Sequence, residues 1–308
     1  MLKYSIRVSL YKKILITGVN GQVGQALNEV LRNTDIGGSL IGLSRTELDL
    51  SNPHQIRQVI HSIKPDLIIN PAAYTAVDKA ESEPDLAYVI NAIAPRILAE
   101  EAAKVGARLV HFSTDYVYNG NKPTPYTEAD ATKPLSVYGK SKLAGEEAIR
   151  AVGLPHLIFR TSWVYGAYGK NFLKTILRLA SEREELRIVT DQFGAPTAAS
   201  SIATAVSQAI IAWHNDTTGV YHMVNAGQTS WHGFASAIVN EYGRMQSAKG
   251  WPPLKVEQIH EITTQEFPTP AIRPVNSCLD VSKLARDFSV QLPDWRVALK
   301  TEVEKLAL

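Results

Sequence analysis

Short apolar runs alternate with amphipathic stretches through the first half of the chain. Ile14–Thr17, Leu40–Leu43, Asp66–Asn70, Arg108–Phe112 and His156–Arg160 are strand-length runs rich in Ile, Leu and Val. None shows the strict alternation of a strand with one wet face, so they predict strands buried on both sides. Between them, apolar residues recur at helical spacing: Val23, Leu27, Val30 and Leu31, then Pro53 to Ile63, a segment around Ala87 to Lys104, and one from Val137 to Arg150. Strand and helix in alternation form βαβ units, whose strands lie parallel. The pattern therefore predicts an α/β fold with a doubly wound parallel sheet.

Beyond Arg160 the rhythm loosens into loops rich in Gly, Pro and Tyr. Helices are expected near Phe172–Ser181 and Ser201–Trp213, a strand over Gly219–Asn225, and a closing helix around Trp295–Leu306, with prolines at 252, 253, 268, 270 and 274 as punctuation. This divides the chain into a cofactor-binding domain over 1–165 and a smaller, mainly substrate-binding domain over 166–308, with segments near 190–230 returning to the first. Residues 1–12 form a leader to which the sequence assigns no role, since its apolar residues never make the unbroken run of a secretory signal.

Composition narrows the partners. The 308 residues carry a net charge of +2 with 20% charged residues, which offers no basic footprint for nucleic acid. Nothing approaches the roughly 18 consecutive apolar residues of a membrane span, so no membrane partner and a cytoplasmic location are expected. One cysteine, Cys278, excludes an internal disulfide and reads as packing.

Candidate chemistry begins with Gly18, Gly21 and Gly24, directly after the first strand. There the backbone must turn tightly, approach a pyrophosphate and let a helix, through Gln22 and Val23, pack on the sheet. The second strand ends Leu43-Ser44-Arg45, without the carboxylate that NAD enzymes place on the adenosine ribose. Ser44 and Arg45 suit a 2′-phosphate, so NADPH is preferred and NADH remains possible; a solvated surface arginine is the plain alternative. Asp49 and Leu50 are candidates for the adenine, although Asp49, Ser51 or Asn52 equally suits a helix cap. Ala73, Tyr74 and Thr75 end the third strand on the side where such sheets bind ligands.

Hydride addition to a carbonyl needs a proton donor and a group that eases its ionisation. Tyr138 and Lys142, four residues apart on a helix, share a face and meet that need, with Lys142 also able to hold a ribose. Thr114, just past the strand Arg108–Phe112, is placed to hydrogen-bond the substrate oxygen. The histidines lack metal-ligand spacing, and His111 reads as a buried strand residue.

Several blocks carry a resemblance along nearly the whole chain: Gly21–Gly24, Thr75–Glu81, Ser113–Val117, Val137–Glu146, Phe159–Val164, Asp191–Thr197 and Arg273–Ser277. The chain resembles the extended short-chain dehydrogenase/reductase superfamily, which has a Rossmann-type fold, and within it the dTDP-4-dehydrorhamnose reductase family. The resemblance implies NADPH-dependent reduction of the C4 keto group of dTDP-4-dehydro-L-rhamnose to dTDP-L-rhamnose. It implies Thr114, Tyr138 and Lys142 as the catalytic set, Asp115 and Trp163 on the sugar nucleotide, and cofactor contacts at Gly21, Gln22, Val23, Asp49, Leu50, Ala73, Tyr74, Thr75, Tyr138 and Lys142. Asn171, Gln192 and Arg273 are candidates for nucleotide and diphosphate contacts. Asp115 also reads as a loop carboxylate bonded to backbone amides, and Trp163 as core.

The match departs from the family at one point. Some bacterial members are Mg²⁺-dependent dimers with interface glutamates, but the aligned positions here are Gln25 and Ser200. No structural metal and a monomer or weak homodimer are therefore expected. Dehydratases of the superfamily carry an acid pair after the threonine, whereas Asp115 is followed by Tyr116. Another nucleotide-sugar 4-ketoreductase, an epimerase, and a non-enzymatic NADP-binding regulatory subunit similar to the methionine adenosyltransferase β subunit are the alternatives.

Overall fold

A computed structural model describes residues 10–34, 36, 38–214 and 217–306; residues 1–9, most of the leader, lie outside them. Its last residues dock, with Tyr11 buried and its hydroxyl donating to the Ile210 carbonyl oxygen at 3.4 Å.

The central sheet has six strands: β1 (Lys13–Thr17), β2 (Ser39–Leu43), β3 (Leu67–Asn70), β4 (Arg108–Thr114), β5 (His156–Thr161) and β7 (Gly219–His222). They lie in the order β2-β1-β3-β4-β5-β7, all parallel. Between them run α1 (Gln22–Arg32), α2 (Pro53–Ile63), α3 (Ala94–Val105) and α4 (Val137–Val152), as the apolar spacing predicts. From β1 the chain goes to β2 on one side and then crosses to β3 on the other. That reversal opens a crevice beyond the ends of β1 and β3, where such sheets take ligands.

Both sheet faces are dry. Ile16 and Ile69 face a layer with Leu27 of α1 and with Ile202 and Val206 of the helix α6 (Ala199–Ile211), while Leu15 and Ile68 face Ile56, Leu98 and Ile149. Each such side chain, taken wholly out of water, contributes about 1.5–3 kcal/mol.

The segment expected as one helix around Ala87 to Lys104 is broken. Pro84–Tyr88 is a short helix, Val89–Ile93 a π-turn, and α3 follows with Pro95 in its first turn. Proline has no N–H for the preceding turn, and the wider turn absorbs that loss. It also swings Asn91 inward, with consequences at the active site.

The remaining chain forms α5 (Phe172–Glu182), β6 (Glu185–Val189), α7 (Trp231–Lys249), β8 (Gln258–Ile262) and α8 (Trp295–Glu304). β6 and β8 pair in parallel, apart from the main sheet. Phe234, Tyr165 and Trp295 anchor the apolar cluster beneath. The 19-residue α7 is the largest element without a sequence expectation. Gly233 and Gly243 interrupt its composition, although Phe234, Ile238 and Tyr242 recur at helical spacing and are buried.

Candidate active site

Gly18 ends β1 at φ 58°, and a Cβ there would lie 2.8 Å from the Ala72 side chain. A Cβ on Gly24 would meet the Gly18 carbonyl oxygen at 2.2 Å, so only glycine lets α1 sit this close to the turn. α1 starts at Gly21 with no side-chain cap, which leaves first-turn N–H groups and the positive end of the helix dipole to an anion. A cavity of about 470 Å³ opens here. Gly18, Gly21, Gln22, Val23, Gly24, Arg45, Asp49, Leu50, Ala73, Thr75, Tyr138 and Lys142 all line it.

Two cofactor candidates fall outside that lining. Ser44 turns away from the crevice, its backbone N–H and hydroxyl both donating to Glu47 at 2.8 Å. Tyr74 is held through its backbone, whose N–H and carbonyl bond the Asn91 amide at 2.9 and 3.0 Å, while its phenol donates to Glu83 at 2.7 Å. Asp49 accepts from the Ser51 N–H and hydroxyl, which holds its carboxyl below the usual range; the cap of α2 is Asn52, with Pro53 in the first turn. Lys170 joins Arg45 and Lys142 as a third basic residue on the cavity wall.

Tyr138 occupies the first turn of α4, which Ser136 caps by accepting from Gly139 N at 3.1 Å. Burial raises its phenol to about 12; the hydrogen bond with Thr114 works against this and the Asp115 charge adds to it. Thr114, at the end of β4, donates to Asp115 Oδ1 at 2.9 Å. Lys142 is buried one turn further along α4 and donates to the Phe112 carbonyl at 2.6 Å, with His111 Nε2 at 3.4 Å. Burial brings it down to about 8, opposed by Glu146. Lys142 is thus turned onto β4, toward the Phe112 carbonyl.

Asp115 is buried, and its Oδ2 has no hydrogen-bond partner among the described residues. Burial pushes its carboxyl up to about 7, against hydrogen bonds from Ser277, Thr114 and nearby backbone amides. An acid with an open oxygen beside Thr114 can donate to, or accept from, a sugar hydroxyl. Trp163 takes a φ of 46°, unusual for a bulky residue, and stacks on Trp231 with ring centroids 3.5 Å apart and planes 9° from parallel. Sequence reasoning missed Trp231, the first residue of α7.

A second cavity of about 670 Å³ has apolar walls, including Phe172, Leu186, Ile188 and Trp231, and polar groups from Gln192 and Arg273. This mixture suits a nucleotide: flat apolar walls for a base and a guanidinium for phosphate. Gln192 is fixed between Thr264 Oγ1 at 3.0 Å and Trp231 Nε1 at 3.2 Å. Arg273 is gripped by Asp78, which sequence reasoning also missed. Asn171 is placed differently from Gln192 and Arg273. It caps α5 and donates to Gln22 Oε1 at 2.9 Å, tying the cofactor helix to the loop before α5.

The implied magnesium site has the wrong donors. Ser200 donates to Glu302, which also accepts from Ala167 N at 2.9 Å and has Lys305 Nζ at 3.4 Å; Gln25 Oε1 is a buried amide oxygen without a partner among the described residues. One carboxylate already saturated by a hydroxyl, an amide and an ammonium does not fit a hard dication that needs several oxygens. Among the described residues, no three His, Cys, Asp or Glu side chains gather to hold a metal.

A parallel sheet with a glycine turn at its reversal, and a Tyr/Lys helix beside that turn, defines the class of extended short-chain dehydrogenases/reductases. Residues 12–308 match the family described as RmlD substrate binding domain. The dTDP-4-dehydrorhamnose reductase of Burkholderia thailandensis is 48% identical over 293 residues, covering 93% of this chain and 96% of the relative. That of Escherichia coli K12 is 45% identical over 299 residues, covering 95% and 97%. The crystal structure of the Bacillus anthracis reductase in complex with NADP matches with a TM-score of 0.86 at 39% identity, covering 96% of this chain and 99% of that one. The chain belongs to the dTDP-4-dehydrorhamnose reductase family.

Proposed function

We propose that the protein catalyses the last step of dTDP-L-rhamnose synthesis, the NADPH-dependent reduction of dTDP-4-dehydro-L-rhamnose at C4. The family match over 12–308 carries the reading, and the site supplies the chemistry. The first turn of α1 would hold the pyrophosphate, Arg45 the 2′-phosphate, and Lys142 the nicotinamide ribose. NADPH supplies the hydride. Thr114 hydrogen-bonds the keto oxygen, and Tyr138, protonated at neutral pH because burial holds its phenol high, gives its proton to the oxygen as charge develops there. Asp115 and Trp163 orient the sugar ring, while Gln192 and Arg273 serve the nucleotide.

We assign residues 1–165 mainly to cofactor binding and 166–308 mainly to substrate binding. Among the described residues no helix is long and apolar enough to cross a membrane. A monomer or weak homodimer acting in the cytoplasm is the accompanying proposal, and light scattering tests the assembly. The deciding experiment follows NADPH oxidation with the keto sugar generated in place by the preceding pathway enzymes, then identifies the product. Formation of dTDP-L-rhamnose supports the reading. A different deoxysugar moves the substrate assignment, and tight NADPH binding without turnover favours a regulatory role.

A further inference from the structure

The loop that leads into α5 passes beside the cofactor cavity and is tied down at both ends. Near its start, Ala167 N donates to Glu302 of α8 at 2.9 Å, and that carboxylate is buried. At its end, the Asn171 amide NH₂ donates to the Gly166 and Tyr168 carbonyl oxygens at 2.8 and 3.2 Å and to Gln22 Oε1 at 2.9 Å. Its Oδ1 meanwhile caps α5, accepting from Lys174 N at 3.1 Å. Between the two ties Gly169 takes φ 70°, and a Cβ there would stand 3.1 Å from Gln22 Cγ. The backbone thus turns against the first residue of α1, where any larger residue would be both strained and crowded.

Lys170 comes next. It is exposed, lines the cofactor cavity beside Gly21 and Gln22, and has no hydrogen-bond or ion-pair partner among the described residues. Three basic residues line that cavity, and the other two have work elsewhere. Arg45 follows β2, at the proposed seat of the 2′-phosphate, and Lys142 is turned onto the Phe112 carbonyl. A pyrophosphate brings a negative charge on each phosphate, whereas a helix N-terminus offers about half a positive charge. The first turn of α1 alone leaves most of that charge unmatched.

We infer that Lys170 is a further binding residue for the cofactor, its ammonium meeting the pyrophosphate beside the first turn of α1, with Asn171 as the positioning residue that holds the loop there. The inference rests on the proposed seat of the pyrophosphate at α1. An ammonium on a flexible four-carbon stem acts as a point charge and can serve either phosphate without a fixed fork geometry. Because NADPH and NADH share the pyrophosphate, Lys170 supports the affinity of both and discriminates neither, the opposite of Arg45.

Lys170→Met keeps most of the stem and removes the charge. Fluorescence titration should show NADPH and NADH each weakened about three- to tenfold, the range of a charged contact at a partly exposed site, with the loss shrinking as salt is added. Adenosine 2′-phosphate, which lacks a pyrophosphate, should compete with NADPH equally well in parent and variant once the change in NADPH affinity is allowed for. Lys170→Arg should stay within about twofold of the parent for both cofactors. Asn171→Ser keeps a capping oxygen for α5 and loses the amide donor; it should weaken both cofactors, and Lys170→Met added to it should cost less than Lys170→Met alone. Unchanged affinities in Lys170→Met overturn the inference and leave a solvated lysine. A loss confined to NADPH and adenosine 2′-phosphate also overturns it, since the contact then lies on the 2′-phosphate. Full additivity of the two substitutions removes Asn171 from the positioning role. A parent that binds neither NADPH nor NADH overturns the proposed cofactor site itself, so the two failures are told apart.

Discussion

Arg273 closes on Asp78 with both terminal nitrogens, at 2.9 and 2.7 Å, across 195 residues of sequence. The fork fixes the guanidinium at the wall of the 670 Å³ cavity, where we propose that the nucleotide binds, and holds the aspartate below its ordinary range through that hydrogen bond. Asp78→Asn keeps the shape but removes the charge that aims the arginine. We expect KM for the sugar nucleotide to rise about three- to tenfold with kcat little changed, and Arg273→Ala to have the larger effect. Steady-state kinetics on the two variants checks both the direction and the ranking.

Tyr138→Phe removes the phenol that we propose as proton donor and leaves the ring packed edge-on against Tyr116, with centroids 6.1 Å apart. Turnover should fall by about 10²-fold or more, the ordinary weight of a general acid, while NADPH binds within about twofold of the parent. Fluorescence titration beside turnover separates the two effects; equal losses in both would move the phenol from chemistry to binding.

Of the pair after β2, only Arg45 lines the cavity, since Ser44 is committed to Glu47. Arg45→Ala should weaken NADPH by about tenfold and leave NADH nearly unaffected, as befits charged hydrogen bonds to a group that only NADPH carries. Dissociation constants for both cofactors decide this, and equal losses would remove Arg45 from the 2′-phosphate.

Asp115 makes stability depend on pH. Its carboxyl ionises near its ordinary 3.8 when unfolded but at about 7 in the buried site. Across that window the folded chain holds more protons, so this group's contribution to stability falls as pH rises and levels off above the window. Asp115→Asn has no proton to lose. The unfolding free energy of the variant relative to the parent, from denaturant titrations, should climb between those two pH values and stay flat beyond, with a total on the order of a few kcal/mol.

The parallel sheet was legible because strands buried on both faces must be continuously apolar, and the helices of the cofactor half because their apolar positions recur every three or four residues. Gly18, Gly24, Tyr138 and Lys142 were legible because local geometry suffices: a turn, and one face of one helix. Trp231 and Asp78 were not, because their roles come from partners remote in sequence, Trp163 and Arg273. The direction in which Lys142 points was hidden for the same reason. Spacing along α4 places it near Tyr138, but the acceptor that claims it, the Phe112 carbonyl, belongs to a neighbouring strand. The helix expected around Ala87 to Lys104 took no account of Pro95, and its break takes the form of a π-turn carrying Asn91 inward, which apolar spacing does not disclose.

The sixth strand of the sheet arrives late. β7 covers the edge of β5, and α6, which packs on α1, comes shortly before it in the chain, so the parallel sheet is completed by segments made after α5 and β6. A ribosome that has released only the first 165 residues therefore presents an open β5 edge and an uncovered apolar face on α1, the surfaces through which nascent chains stick to one another. Synthesis must pass His222 before the nucleotide fold can close, which places this chain's hazard during translation rather than after it, and makes its early half a natural client for chaperones that shield exposed strands.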